Sequence, residues 1–172
     1  MVGGIVMNNA SGMNCGTHAN SDKELLSAKI VLADGTRLNT GDPESRMTFE
    51  KNHTPFLNKI IEIRDEIRND NELSDRIRKK YSIKNVTGLN LLPFVIYDDP
   101  FDIIAHLMVG SEGTLAFLSE VTMKTEHDYP YSASAMLYFS NIKDACRAVV
   151  ARIPGPVFSA ELLDKKSLAS VN

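Results

Sequence analysis

The chain has little cysteine, no block of basic residues and no long hydrophobic run, and each shortage removes a class of function. Its two cysteines, Cys15 and Cys146, stand in no CxxC or Cys/His ligand spacing, so they read as reduced thiols of a cytosolic protein and supply no metal site. Four histidines, His18, His53, His106 and His127, are scattered without the i, i+4 spacing that sets two ligands on one helical face. The 19 basic and 22 acidic residues give a formal charge of −3 with no cationic cluster of the size a nucleic-acid footprint needs. The longest apolar stretch, Leu89 to Tyr97, is interrupted by Asn90 and Pro93 and is far shorter than the roughly 20 residues of a membrane-spanning helix. No signal peptide with a basic start is visible in the sequence.

What is present is a chain of 172 residues, 43% hydrophobic, enough for one buried core or for one domain and part of a second. Two glycine-rich stretches separated by about ninety residues dominate it. The first is Gly3-Gly4-Ile5-Val6-Met7-Asn8-Asn9-Ala10-Ser11-Gly12-Met13-Asn14-Cys15-Gly16, and the second Val109-Gly110-Ser111-Glu112-Gly113-Thr114-Leu115. Glycines among small and amide residues leave backbone N–H groups bare, so a phosphate or the edge of a flat heterocycle can approach the main chain. The pair suggests a large cofactor.

Between the two stretches, Leu25 to Leu32 predicts a strand and Asp34-Gly35 a tight turn, with Thr36 to Thr40 returning antiparallel. Gly41-Asp42-Pro43 breaks the pattern. Thr54-Pro55 offers an N-cap with proline in the first turn, so a helix is expected from there, buried along Phe56, Ile60, Ile63 and Ile67. A more polar helix follows from about Glu72 to Tyr81; its Arg76, Arg78, Lys79 and Lys80 read as a solvated face. Asp98-Asp99-Pro100 starts another helix, with Phe101, Ile104, Ala105 and Leu107 inward, that runs into the second glycine stretch. Leu115 to Thr125 alternates as a strand. That order, helix then glycine turn then strand, is the reverse of a Rossmann or P-loop start, and neither nucleotide fold is supported.

Beyond Tyr129-Pro130, Ala133 to Phe139 predicts a strand, Asn141 a cap for a helix to Arg152 ended by Pro154-Gly155-Pro156, and Val157 to Leu163 a further strand before a helix that has barely begun at Lys165. This places a domain boundary near residue 130, giving an α+β chain of two parts, residues 1–129 and 130–172. Met1-Val2-Gly3-Gly4 enters the first glycine stretch with no strand or helix before it. Both ends therefore suggest a piece of a longer protein, and apolar surface exposed in such a piece would favour self-association.

The two glycine stretches resemble the paired motifs of FAD-dependent D-2-hydroxy acid dehydrogenases, the D-lactate dehydrogenase and glycolate oxidase flavoproteins with an FAD domain of the p-cresol methylhydroxylase and vanillyl-alcohol oxidase type. Lys80-Tyr81-x-Ile83-Lys84-Asn85-x-Thr87-Gly88, Asp98-Asp99-Pro100-x-Asp102-Ile103-x-Ala105-His106-Leu107 and Glu161-Leu162-x-Asp164 extend the resemblance to the long members, in which an iron–sulfur region follows the flavin part. Met13-Asn14-Cys15 before Gly16, where many relatives carry Arg-Tyr-Gly, favours that long subgroup. Ala116 stands where glycine is common.

The resemblance implies a fold and a chemistry. Residues 1–129 would be the C-terminal part of the FAD-binding domain, an antiparallel sheet flanked by helices, and 130–172 the beginning of the α+β cap. FAD would accept a hydride from C2 of a D-2-hydroxy acid and pass electrons to a quinone or other carrier, with any iron–sulfur cluster elsewhere in the parent. The parent would be cytoplasmic, or peripheral at the inner membrane face. Gly4, Asn8, Asn9, Ala10, Ser11 and Gly12 would lie along the flavin and ribityl chain, with Gly16 and Thr17 closing the turn. Gly110, Glu112, Gly113 and Leu115 would approach the cofactor, and Ala116 and Phe117 its adenine side. No catalytic base is assigned; His106 and Glu161 read as structural, and Cys15 is given no chemistry. Glycolate or D-2-hydroxyglutarate as substrate, and a non-catalytic flavin-fold module, are the alternatives.

Overall fold

A computed structural model describes residues 2–12, 15–16, 19–86, 88–152, 157 and 159–170. They form an α+β fold with a three-stranded antiparallel sheet. By its contacts the chain divides into two compact units. One holds residues 1–11 and 17–125; the other holds 12–16 and 126–172.

In the first unit, β1 (Leu25–Val31) is the central strand, flanked by β2 (Arg37–Asn39) and β3 (Phe117–Met123). Ile30 lies opposite Leu38 on one side, and Ala28 opposite Val121 on the other. Leu25, Ala28, Ile30, Leu38 and Leu118 are buried in a core with Phe49, Leu57 and Phe101. The hairpin closes as its sequence predicts. Gly35 takes a φ of +86°, and Asp34 Oδ1 accepts a hydrogen bond from Thr36 N at 2.9 Å. Bonds from the Thr36 backbone and hydroxyl hold the exposed Asp34 carboxyl below the usual carboxylate range.

The long helix begins earlier than Thr54-Pro55 suggests. α3 spans Pro43–Asn69, and its cap is Asp42, which accepts hydrogen bonds from Glu44 N and Ser45 N, with Pro43 in the first turn. Pro55 therefore sits inside the helix. It has no N–H for the carbonyl of Lys51, and the helix kinks at His53 (φ −130°, ψ 30°). Thr54 is no cap either, because its hydroxyl bonds backwards to Glu50 O at 2.6 Å. The predicted stripe is partly realised: Ile67 is buried and Ile60 and Ile63 half-buried, whereas Phe56 is exposed and Leu57 takes its place in the core.

α4 (Asn71–Lys80) is capped by Asp70, which accepts from Leu73 N at 2.9 Å. A short helix, α5 (Leu92–Ile96), fills the apolar stretch left unassigned by periodicity, and α6 (Pro100–Leu107) starts at the Asp99 cap as expected. α6 lies between two cores. Phe101, Ile104 and Ala105 pack toward the sheet, while Ile103 joins Ile67, Ile77, Leu92, Phe94 and Val95 in a second, all-helical cluster. Arg68 ties α3 to this layer by donating to Phe94 O (2.9 Å), Tyr97 O (2.7 Å) and the Asp98 carboxylate (2.5 Å). Arg46 does the same toward α6, reaching Asp99 at 2.7 Å and Asp102 at 3.2 Å with its guanidinium over the Phe101 ring.

In the second unit, α7 (Ile142–Arg152) is capped by Asn141, which accepts from Asp144 N at 3.0 Å, and α8 (Lys165–Ala169) by Asp164, which accepts from Ser167 N at 2.7 Å. The expected strands are not formed among the described residues. Ala133 to Phe139, and residues 157 and 159–163, are exposed and belong to no sheet, since a strand needs a neighbour to take its backbone hydrogen bonds. Pro154-Gly155-Pro156 lies outside the described residues. Among the described residues no helix is long and apolar enough to cross a membrane, and no group of three or more His, Cys, Asp or Glu is placed to hold a metal ion.

Candidate functional site

The first glycine stretch is not a bare loop. Residues Val2–Met7 form a short helix, α1, so that Gly3 and Gly4 are helical, and the turn proper begins at Asn8. The helix ends in a Schellman cap: Ala10 N donates to Ile5 O and Asn9 N to Val6 O, both at 2.9 Å, with Asn9 at a φ of 55°. This left-handed position suits glycine best and asparagine next, which explains the residue. Asn9 is buried, and its amide works within the protein. Its Oδ1 accepts from Asp22 N at 3.2 Å, in the short helix α2 (Ser21–Glu24), and its Nδ2 donates to Asn85 O at 3.4 Å.

The second stretch ends α6. Gly110 has a φ of +83°, Glu112 of +53° and Gly113 of +77°, so three of these four residues are left-handed. Ser111 is buried, its hydroxyl donating to Met108 O at 2.8 Å, and Thr114 closes the turn through two hydrogen bonds to Ser111 O. A Cβ at Gly110 would lie 3.4 Å from Gly88 O and 4.0 Å from Asn9 Cβ. The carbonyl of Gly88 and the side chain of Asn9 thus crowd the same atom.

The two stretches meet. Met7 is the last residue of α1, and its carbonyl, which the helix leaves without a donor, accepts from Glu112 N at 3.0 Å. Beside it, Asn8 Nδ2 donates to Glu112 Oε1 at 2.6 Å, and a Cβ on Gly113 would lie 3.9 Å from Met7 Sδ. A third segment joins them through Asn85 and Gly88. The sequence offers Lys84 to Gly88 equally as a surface loop and as part of a site; the structure sets Asn85 and Gly88 against the two turns.

The expected site residues therefore separate in the fold. Asn8, Asn9, Gly110, Glu112 and Gly113 come together, and Ala10 is tied to α2 by a hydrogen bond from Ser21 Oγ at 3.2 Å. Gly4 lies one turn back in α1, with open space where a Cβ would be. Glu112, Gly113, Thr114 and Leu115 run exposed along the surface, after which Ala116 is buried and Phe117, exposed, opens β3. Gly12 and Gly16 belong to the second unit, where Cys15 Sγ donates to Gly12 O at 2.9 Å. Thr17 lies outside the described residues.

One polar atom of the first turn has no partner among the described residues: Ser11 Oγ is buried and makes no hydrogen bond. An unsatisfied buried hydroxyl costs about 1–3 kcal/mol, so its position in this turn favours a polar ligand atom beside it.

His106 is not part of this surface. Its Nδ1 donates to Asp102 O at 2.8 Å, which leaves Nε2 to accept from the Tyr97 hydroxyl at 3.0 Å, and the two rings stack with centroids 4.2 Å apart. Burial pulls the His106 pKa down, against the opposing charges of Asp102 and Asp22, and pushes the Tyr97 pKa up. The neutral pair is a buried brace for the end of α6. Glu161 is exposed and lies in no strand.

The chain is similar to D-lactate dehydrogenase (cytochrome), mitochondrial, of Arabidopsis thaliana, with 31% identity over 71 residues. That match covers 40% of this chain and spans 12% of the relative's length. No family model matches the sequence, and no solved structure matches it.

Proposed function

We propose that this chain forms part of an FAD-linked oxidoreductase of the D-lactate dehydrogenase type, and that its two glycine turns together make one wall of the cofactor site. The observation that carries this reading is the junction itself: the two motifs, far apart in sequence, are joined at Met7, Asn8 and Glu112. The similarity to a D-lactate dehydrogenase supports the same family of reactions.

The residues fit a flavin dinucleotide in three respects. The exposed, left-handed turn at Glu112 and Gly113 allows a planar group to approach the main chain closely at Gly113, the Glu112 N–H being already bonded to Met7 O. Ser11 supplies a hydroxyl that lacks a protein partner among the described residues. Asn9 braces the turn from within, so the contact offered by residues 9–11 is main chain and Ser11 rather than the Asn9 amide. When bound, FAD would supply the redox step, taking a hydride from C2 of a D-2-hydroxy acid, with a quinone or other carrier as onward acceptor. This chain's part is to hold and orient that group and to exclude water from one side of it.

The test is anaerobic addition of a panel of D-2-hydroxy acids to the protein carrying this chain, purified in the presence of FAD. Bound flavin whose visible absorption is bleached by at least one acid is the expected result. A protein that stays colourless in excess FAD contradicts the cofactor reading, and a bound flavin that no acid bleaches contradicts the dehydrogenase reading.

A further inference from the structure

We infer that Asn8 and Glu112 are positioning residues, which clasp the two glycine turns together, rather than groups that touch a cofactor; this rests on the cofactor-site reading only for its functional consequence. Glu112 is one of two non-glycine residues among those described with a positive φ, the other being Asn9. A glutamate there loses roughly 1 kcal/mol relative to glycine, so something must hold it. Two bonds do so: its own N–H to Met7 O, and its carboxylate to the Asn8 amide. Both partners belong to the end of α1, so the strained residue is fixed to the first turn from its backbone and its side chain at once.

The surroundings make the clasp directional. Asn9, the residue after Asn8, is anchored to Asp22 N and Asn85 O, which fixes the first turn from behind. Gly110, two residues before Glu112, is walled by Gly88 O. Between these fixed points Asn8 and Glu112 bridge the two turns by their side chains, at the exposed rim where a bound group would enter. One carboxylate oxygen is held by the Asn8 amide, and its role is to set the spacing of the two backbones.

The experiment is a double-mutant cycle on the full chain with Asn8→Ala, Glu112→Ala and both together, read by hydrogen exchange of the Glu112-position amide and by FAD titration. Each single variant is expected to lower protection of that amide by roughly five- to tenfold, and the double variant to lower it no further than the worse single. Glu112→Gln keeps the acceptor oxygen and the turn, and should restore protection to within about threefold of the parent. If FAD binds, its affinity should fall with the two alanine variants in step and recover with Glu112→Gln. Independent, multiplying losses in the double variant would overturn the clasp, as would Glu112→Gln behaving like Glu112→Ala. If FAD does not bind the parent protein, the cofactor reading fails while the exchange cycle still decides the clasp.

Discussion

Asn9→Ala is expected to destabilise the first unit by about 1–3 kcal/mol, chiefly through the buried amide of Asp22 left without its acceptor. The longer, part-buried bond from Asn9 Nδ2 to Asn85 O, at 3.4 Å, is lost with it. Alanine must also hold the left-handed conformation at the end of α1 that asparagine tolerates better. Asn9→Gly separates the two causes, since it relieves the backbone and still abandons both hydrogen bonds; it should recover about 1 kcal/mol of the loss. Urea unfolding measures both, as a lower midpoint at unchanged slope. A loss under about 0.5 kcal/mol in Asn9→Ala, the scale of an ordinary surface change, would mean that Asn9 does not join the three segments.

Ile103→Ala should cost about 2–5 kcal/mol, as expected for a large aliphatic side chain removed from a packed core. Ile103 is fully buried and faces the all-helical cluster, while its neighbours Ile104 and Ala105 face the sheet. The cavity would open between α6 and the α3–α5 layer, and Arg68 would then hold that layer through polar contacts that are partly solvent-exposed and correspondingly weak. Amide exchange should accelerate most in α4 and α5 and least in β1. Uniform acceleration across the unit would show that the two clusters unfold as one.

Ile103 also shows where periodicity stops being informative. Its helix is apolar on two sides because it is sandwiched, and a single inward stripe of Phe101, Ile104, Ala105 and Leu107 describes only the sheet-facing half. The Asp99-Pro100 start is legible because the cap and the proline are local chemistry. Asp42-Pro43 carries the same signature but follows directly on a strand, so it reads as a strand breaker, and the helix is expected a dozen residues late at Thr54-Pro55. The hairpin at Asp34-Gly35 and the cap at Asn141 are likewise local and legible. Ala133 to Phe139 and Val157 to Leu163 have strand-like composition, but a strand is fixed by its neighbours, and none pairs with them among the described residues.

The site divides along the same line. That Gly110 and Gly113 mark a turn where the main chain is open can be read from the residues. That Glu112 shares this conformation cannot, because the cause is the amide of Asn8 arriving from the other end of the sequence. The inward turn of Asn9 is equally hidden. Asparagine at a flavin edge and asparagine at a helix C-terminus are the same letter, and only the positions of Asp22 and Asn85 decide between them.

The central claim, that the two glycine turns form one cofactor-facing surface, is tested most directly by recording backbone amide chemical shifts of the chain during titration with FAD. The account predicts that the largest changes fall together on residues 8–11 and 110–117, with one shared binding curve. Saturating changes confined to other residues, or changes at one turn while the other stays still, would contradict it.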